Sequence, residues 1–395
     1  MLGMGLGSDI FASLIHYSTL LLLIFATYAF GKRFLPSPGG WIAAAMIVGM
    51  PMMLIWGGFA YTDIAWALFQ FLAFALLLIW IQENESKYLV LSGMMQGLAL
   101  GSKYLAIAGT GILAIFIVYF SWRGKKSTIR FLKTVKNLFN FGAAAILIAL
   151  PWYLKNILWT GNPIFPFYFP QNIVSPTELN LVMDYAKSFG TEKKWFDYML
   201  LPFTLFIKST KFSTYFGPID YPNPLFLIVI SYPWIKQKII GKYRLILDVM
   251  FNLTVLQFIA WAMGSQQTRF LMPLYPCLSI LASAVLLSLS EIRKKLRWDR
   301  ILAFGAVGGM IIFSLIMMFQ YFIQIQPYKV VLGSTSKSDF LSSVMVDYSV
   351  INYINKQLPE NAKVMTPWYG KGYYCNSKCY PDVGPSKWTG LFQEL

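Results

Sequence analysis

The sequence predicts an all-α polytopic membrane protein of about ten transmembrane helices, with a large outer loop and a short outer C-terminal α/β segment. Three observations lead there. Hydrophobic residues make up 57% of the chain and charged ones only 13%, against about one quarter charged in a soluble domain. Apolar stretches of membrane-crossing length recur, at 10–30, 64–81, 270–289 and 301–322. Basic residues gather in the short connectors between such stretches, which is the orientation signal of membrane proteins.

The elements follow in order. The first span, 10–30, is closed by Lys32-Arg33. The second is 41–56, and the third, 64–81, is entered through Ala60-Tyr61-Thr62-Asp63. A polar connector, 82–87, leads to an apolar stretch at 88–120, too long for one span at about 1.5 Å per residue. It divides at Gly101-Ser102-Lys103 into two short spans. After the basic segment 123–136 comes the sixth span, 137–154. Its exit is Leu150-Pro151-Trp152-Tyr153-Leu154-Lys155-Asn156: a proline ends the apolar run, two aromatics suit the headgroup level, and Gly161-Asn162-Pro163 cannot continue a helix. The remaining spans are 225–235, 245–263, 270–289 and 301–322.

When the connectors alternate, Lys32-Arg33, Lys87 and the groups at 123–136, 236–244 and 293–300 fall on one side and hold more than half of the 33 basic residues. That side is expected to be cytoplasmic. Asp63, Lys103, the loop 155–224, Arg269 and the tail from Ile323 then face outward. Segment 198–207 is apolar enough to cross, but a crossing there would reverse every later basic connector, so it is expected to lie in the interface. The chain thus divides into a membrane domain, 1–323, and an extracytoplasmic segment, 324–395. In the latter, 338–357 has helical spacing, 358–361 is a turn and 362–366 a strand.

The net charge of +16 is assigned to span flanks and lipid headgroups rather than to nucleic acid. Cys277 is a packing residue in an apolar run, while Cys375 and Cys379 are spaced to pair if the tail is outside. His16, the single histidine, lies in an apolar helix and is expected to be hydrogen-bonded packing rather than chemistry. The spans do not form two similar halves, and Asp248, the one acid inside a span, sits near a cytoplasmic end; both count against a transporter.

Asp63 at the mouth of a span is the candidate catalytic base, with a helix cap by Thr62 or Asp63 as the structural alternative. Lys103, in the break between two short spans, and Arg269, in a brief outer connector, are candidate phosphate ligands. The alternatives are snorkelling and headgroup anchoring. Tyr61, Lys155, Asn156 and Gln267 complete the candidate binding set; for Lys155 and Asn156 the alternative is an interfacial anchor. Trp159, Phe165, Phe167, Tyr168 and Phe169 suit a prenyl chain, a sugar face or an interfacial belt. One carboxylate with several cations suits a reaction with a phosphate leaving group and a hydroxyl nucleophile.

Four motifs carry a family resemblance: Ala60-Tyr61-Thr62-Asp63-Ile64-Ala65, Gly97-Leu98-Ala99-Leu100-Gly101-Ser102-Lys103-Tyr104, Pro151-Trp152-Tyr153-Leu154-Lys155-Asn156 with Gly161-Asn162-Pro163, and Thr268-Arg269-Phe270-Leu271-Met272-Pro273. Together, in this order, they resemble the GT-C integral-membrane glycosyltransferases, in the bacterial branch related to dolichyl-phosphate-mannose–protein mannosyltransferases. The resemblance implies sugar transfer from a polyprenyl-phosphate donor to a lipid, glycan or protein acceptor at the outer face of the cell membrane, with Asp63 at the family's second outer acidic position. It also implies a principal catalytic acid in an outer loop upstream of Met1, so the sequence reads as N-terminally incomplete. Asp9 does not substitute for that acid. No cofactor is required by this reading, and a divalent metal remains open. The competing expectation is a non-catalytic relative, or a subunit of an envelope polysaccharide assembly system.

Overall fold

The computed structural model describes the chain except for residues 1–8, 123–126, 166, 168–175, 215–219, 221, 239–240, 293–296, 346, 360, 367–372, 377 and 382–395. Tyr168 and Phe169 lie outside the described residues. Two compact units emerge: Met1–Lys155 with Phe189–Met317, and Asn156–Ser188 with Met318–Leu395.

The first unit opens with α1, Asp9–Phe34, followed by α2, Gly39–Val48, and α3, Pro51–Gly57. Gly49 and Pro51 bend the α2–α3 pair by 66° where a single second span was expected. The pair still traverses the unit. At its start Gly40 packs on the far end of α1, where a Cβ would lie 2.7 Å from the Tyr28 carbonyl oxygen. Just beyond its end, the Ile64 amide meets His16 near the beginning of α1. Next come α4, Asp63–Glu83, α5, Ser86–Ser102, and α6, Ala106–Ser121, with the expected break at Lys103.

The first unit continues through α9, Trp195–Ile207, a 3-10 segment Pro224–Ser231, and α10, Tyr232–Ile235. Then follow α11, Gly241–Met263, a 3-10 segment Thr268–Leu274, and α12, Tyr275–Ile292. Two helices are shared between the units, α7, Ser127–Thr160, and α13, Arg297–Ile325. The core of the first unit is packed from α1 to α6, α11 and α12, with Trp56, Phe71, Phe74 and Tyr275 fully buried.

Among the described residues, six helices are long and apolar enough to cross a membrane, and the bent α2–α3 pair makes a seventh if it is one span. The other expected spans are present but shorter: α5 has 17 residues, α6 has 16, and Pro224–Ile235 is mostly a 3-10 coil. Two boundaries differ from the sequence reading. Pro151 does not end α7, which runs on for nine residues to Thr160; neighbouring packing lets membrane helices absorb an internal proline. The stop is Gly161, whose positive φ of 71° only glycine adopts freely, its amide donating to the Ile157 carbonyl at 2.8 Å. Segment 123–136, expected as a connector, is helical from Ser127.

Among the described residues, the second unit holds α8, Pro176–Lys187, α14, Tyr328–Val331, α15, Lys337–Val344, and α16, Tyr348–Gln357. The predicted single helix at 338–357 is thus two, parted at Met345. Strand β1, Lys363–Thr366, pairs in parallel with β2, Lys378–Pro381. Cys375 and Cys379 form a disulfide, and Cys277 is the buried free thiol expected.

Candidate active site

Asp63 is the first residue of α4 and is 1% exposed. A carboxylate in the first turn of a helix is favoured by the backbone dipole. The expected cap is not made: Thr62 has no side-chain capping bond, and neither does Asp63 supply one. His16 takes that role from another helix, its Nε2 accepting the Ile64 amide at 3.2 Å. The packing role read for His16 is therefore also a positioning role, because it seats the residue next to Asp63.

Lys103 closes α5 in an extended conformation and reaches back to Asp63, with Nζ donating to Oδ1 at 2.5 Å. The other oxygen, Oδ2, is buried with no hydrogen-bond partner among the described residues. The turn that presents Lys103 is held from below by buried amides. Gln96 Nε2 donates to the Ala106 carbonyl at 2.9 Å and the Thr110 hydroxyl at 2.8 Å, while its Oε1 accepts from Gln70 at 2.8 Å. Buried amides inside a span must satisfy one another, so this cluster ties α4, α5 and α6 together about two turns below the lysine.

Arg269 comes from the 3-10 segment. Its Nε donates to Gln267 Oε1 at 2.9 Å, and its guanidinium lies 4.9 Å from the Phe270 ring centroid, 5.6 Å from Trp56 and 5.8 Å from Tyr61. Lys103 Nζ lies 4.1 Å from the same Phe270 ring. The two cations therefore share one aromatic ring and repel each other. Phe270 lies against both cations, and Trp66 also receives Lys103 at 5.6 Å.

The structure thus brings together Asp63, Lys103, Arg269, Gln267 and Tyr61. Among their contacts, Lys155 Nζ sits 3.6 Å over the Trp152 ring, and Asn156 Nδ2 donates to the Pro163 carbonyl at 3.1 Å. Among the described residues, no group of three or more His, Cys, Asp or Glu side chains forms a metal site.

Residues 6–159 match the family described as dolichyl-phosphate-mannose-protein mannosyltransferase. Two solved structures of ArnT from Cupriavidus metallidurans resemble the chain at 13% identity over 93% of its length. The form bound to undecaprenyl phosphate superposes with a TM-score of 0.51 over 71% of that chain, and the apo state with 0.54 over 70%. The fold is that of a GT-C glycosyltransferase. No curated protein matches the sequence. The resemblance read from the four motifs and the polytopic helical fold are both borne out.

Sequence reasoning passed over one buried acid beside this cluster. Asp220, between α9 and the Pro224–Ser231 segment, is fully buried. Its Oδ1 accepts from Trp56 Nε1 at 3.0 Å and its Oδ2 from the Ser213 hydroxyl at 3.2 Å and the Thr214 amide at 3.3 Å. Burial raises its carboxyl above the usual carboxylate range, and those three donors together with Arg269 pull the other way. Nothing in the surrounding Ile-Asp-Tyr-Pro sequence signals this burial, since the Trp56 indole that donates to it is 164 positions away.

Proposed function

We propose that this chain transfers a sugar from a polyprenyl-phosphate-linked donor to a hydroxyl acceptor at the extracytoplasmic face of the cell membrane. The observation that carries the reading is the pair of cations on the Phe270 ring. Two like charges held on one ring, of which only Lys103 has a carboxylate in direct hydrogen-bond contact, are stabilised by an anion placed against both. A phosphate ester fits that demand, and the match of residues 6–159 to a phosphosugar-using family favours the same ligand class.

In the reaction the acceptor hydroxyl attacks the anomeric carbon. The bond from that carbon to the phosphate oxygen breaks, and polyprenyl phosphate leaves with its new negative charge facing Lys103 and Arg269. The hydroxyl proton passes to Asp63 Oδ2, the oxygen that Lys103 leaves unoccupied. The basic connectors argue for an outward-facing site by the orientation rule. The Cys375–Cys379 disulfide supports an oxidising compartment for the tail.

The test is transfer from a synthetic polyprenyl-phosphate sugar by the purified chain in lipid vesicles. Asp63→Asn is expected to lower the transfer rate by ~10²–10⁴-fold with donor affinity unchanged, the range for loss of a general base. Unchanged transfer removes Asp63 from the chemistry. The near-complete burial of Asp63 favours a second reading, in which it serves only as the counter-ion that sets Lys103. On that reading Asp63→Asn weakens donor binding and leaves the rate at saturation intact.

A further inference from the structure

Phe212, Thr214 and Asp220 are stitched to one another and to the 3-10 segment that bears Arg269 at several points. The Thr268 amide and hydroxyl both donate to the Phe212 carbonyl at 2.9 Å. Thr214 is a shared node: its amide donates to Asp220 Oδ2, and its hydroxyl donates to Gln267 Oε1 at 3.2 Å. Gln267 Oε1 is the same oxygen that accepts from Arg269 Nε. One arm of this frame therefore reaches Arg269 through Gln267.

The second arm runs through Trp56. Its indole is 1% exposed, packs edge-on against Tyr61 at 5.1 Å, and lies under the guanidinium at 5.6 Å. An indole has one donor, and here it is spent on Asp220. The tilt of the ring about its own bond is thereby fixed. No ion pair within 4 Å joins Arg269 to Asp220 among the described residues, so the carboxylate does not hold the guanidinium directly. Among those residues only Nε of Arg269 is engaged in a hydrogen bond, which leaves its terminal amino groups for a ligand.

We propose that Asp220 is a positioning residue: through its hydrogen bond with Trp56 it sets the aromatic face on which Arg269 is held for a phosphate ester. This rests on the reading of Arg269 as a phosphate ligand. Asp220 acts as an acceptor anchored in the loop, and its charge is secondary. Asparagine keeps an acceptor for the Trp56 donor and can donate to Ser213, at the expense of facing the Thr214 amide. Leucine keeps neither.

The experiment measures the affinity of a short-chain polyprenyl phosphate for the full chain in detergent, with thermal unfolding read in parallel. Wild type binds. Asp220→Asn binds within ~3-fold of wild type, while Asp220→Leu and Trp56→Phe each weaken binding by ~10-fold or more, the scale of leaving a buried hydrogen-bonding group unpaired. In an Arg269→Met background Asp220→Leu changes affinity by less than ~2-fold while still lowering the Tm, because a residue acting through Arg269 has nothing left to position. If Asp220→Asn weakens binding as much as Asp220→Leu, the charge and not the acceptor matters, and the proposal falls. If Trp56→Phe binds like wild type, the relay falls. If wild type binds no polyprenyl phosphate, the phosphate-site reading fails first; that outcome is distinct from a wild type that binds and variants that do not differ from it.

Discussion

Two ion pairs in this chain close to the same 2.5 Å and are otherwise opposites. Lys103 and Asp63 meet at the candidate site with side chains 21% and 1% exposed, whereas Lys194 and Glu192 meet on the loop before α9 at 58% and 75%. Distance alone would rank them equal. The buried pair has lost the water that would otherwise solvate each charge, so each member depends on the other. The exposed pair exchanges one solvated state for another, and salt screens what is left. The comparison teaches that the Asp63–Lys103 contact is a commitment of the fold, while the loop pair is a surface accident.

The sharpest way to break the comparison is to remove one buried partner. Lys103→Met is expected to destabilise the chain by about 3–5 kcal/mol, because Asp63 is left as an uncompensated buried charge. Thermal unfolding in detergent checks this. Adding Asp63→Leu to Lys103→Met should recover most of the loss; a double variant as unstable as the single one would mean that packing, and not charge, is at stake. The next effect comes from the support beneath the pair. Gln96→Leu strips partners from Gln70, the Ala106 carbonyl and Thr110, and should cost about 1–3 kcal/mol while loosening the Lys103 turn. A Gln96→Leu protein with native stability and native donor affinity would show that the amide cluster does not position the lysine.

Smaller still is Thr214→Val, which removes the hydroxyl bond to Gln267 but keeps the amide bond to Asp220. It should cost about 0.5–1.5 kcal/mol and raise the donor KM before it touches kcat. At the bottom of the scale, Glu192→Gln should leave the Tm unchanged at low and high salt. A Tm drop there that salt abolishes would show that the loop pair matters after all.

The fold was legible wherever apolar length and charge clustering were decisive. The break at Lys103, the long first span and the strand at 363–366 are all where periodicity and composition put them. Pro151 was misread because a proline's local cost was weighed without the neighbours that absorb it, and the glycine ten residues on turned out to be the stop. Ser338 to Gln357 was read as one helix because its apolar spacing runs through the break at Met345. Of the site, the charged members were found because charge is conspicuous in an apolar chain. Asp220 was conspicuous by the same measure, yet its loop gave no hint of direction. Its partner Trp56 stood out only as the last residue of the second expected span, 41–56. His16 was read as packing, and its bond to Ile64 joins residues 48 apart that no local pattern links. Long-range hydrogen bonds of this kind depend on how the helices are stacked, which composition does not encode.

That imidazole bond has a mechanical consequence. A helix whose first turn is gripped by a ring from another helix cannot spin freely about its axis. A slip of one residue swings every side chain by about 100° and would carry Asp63 away from its lysine. The Ile64 amide caught by His16 works as a detent against that slip, so any tug on the carboxylate is felt as a load on α1.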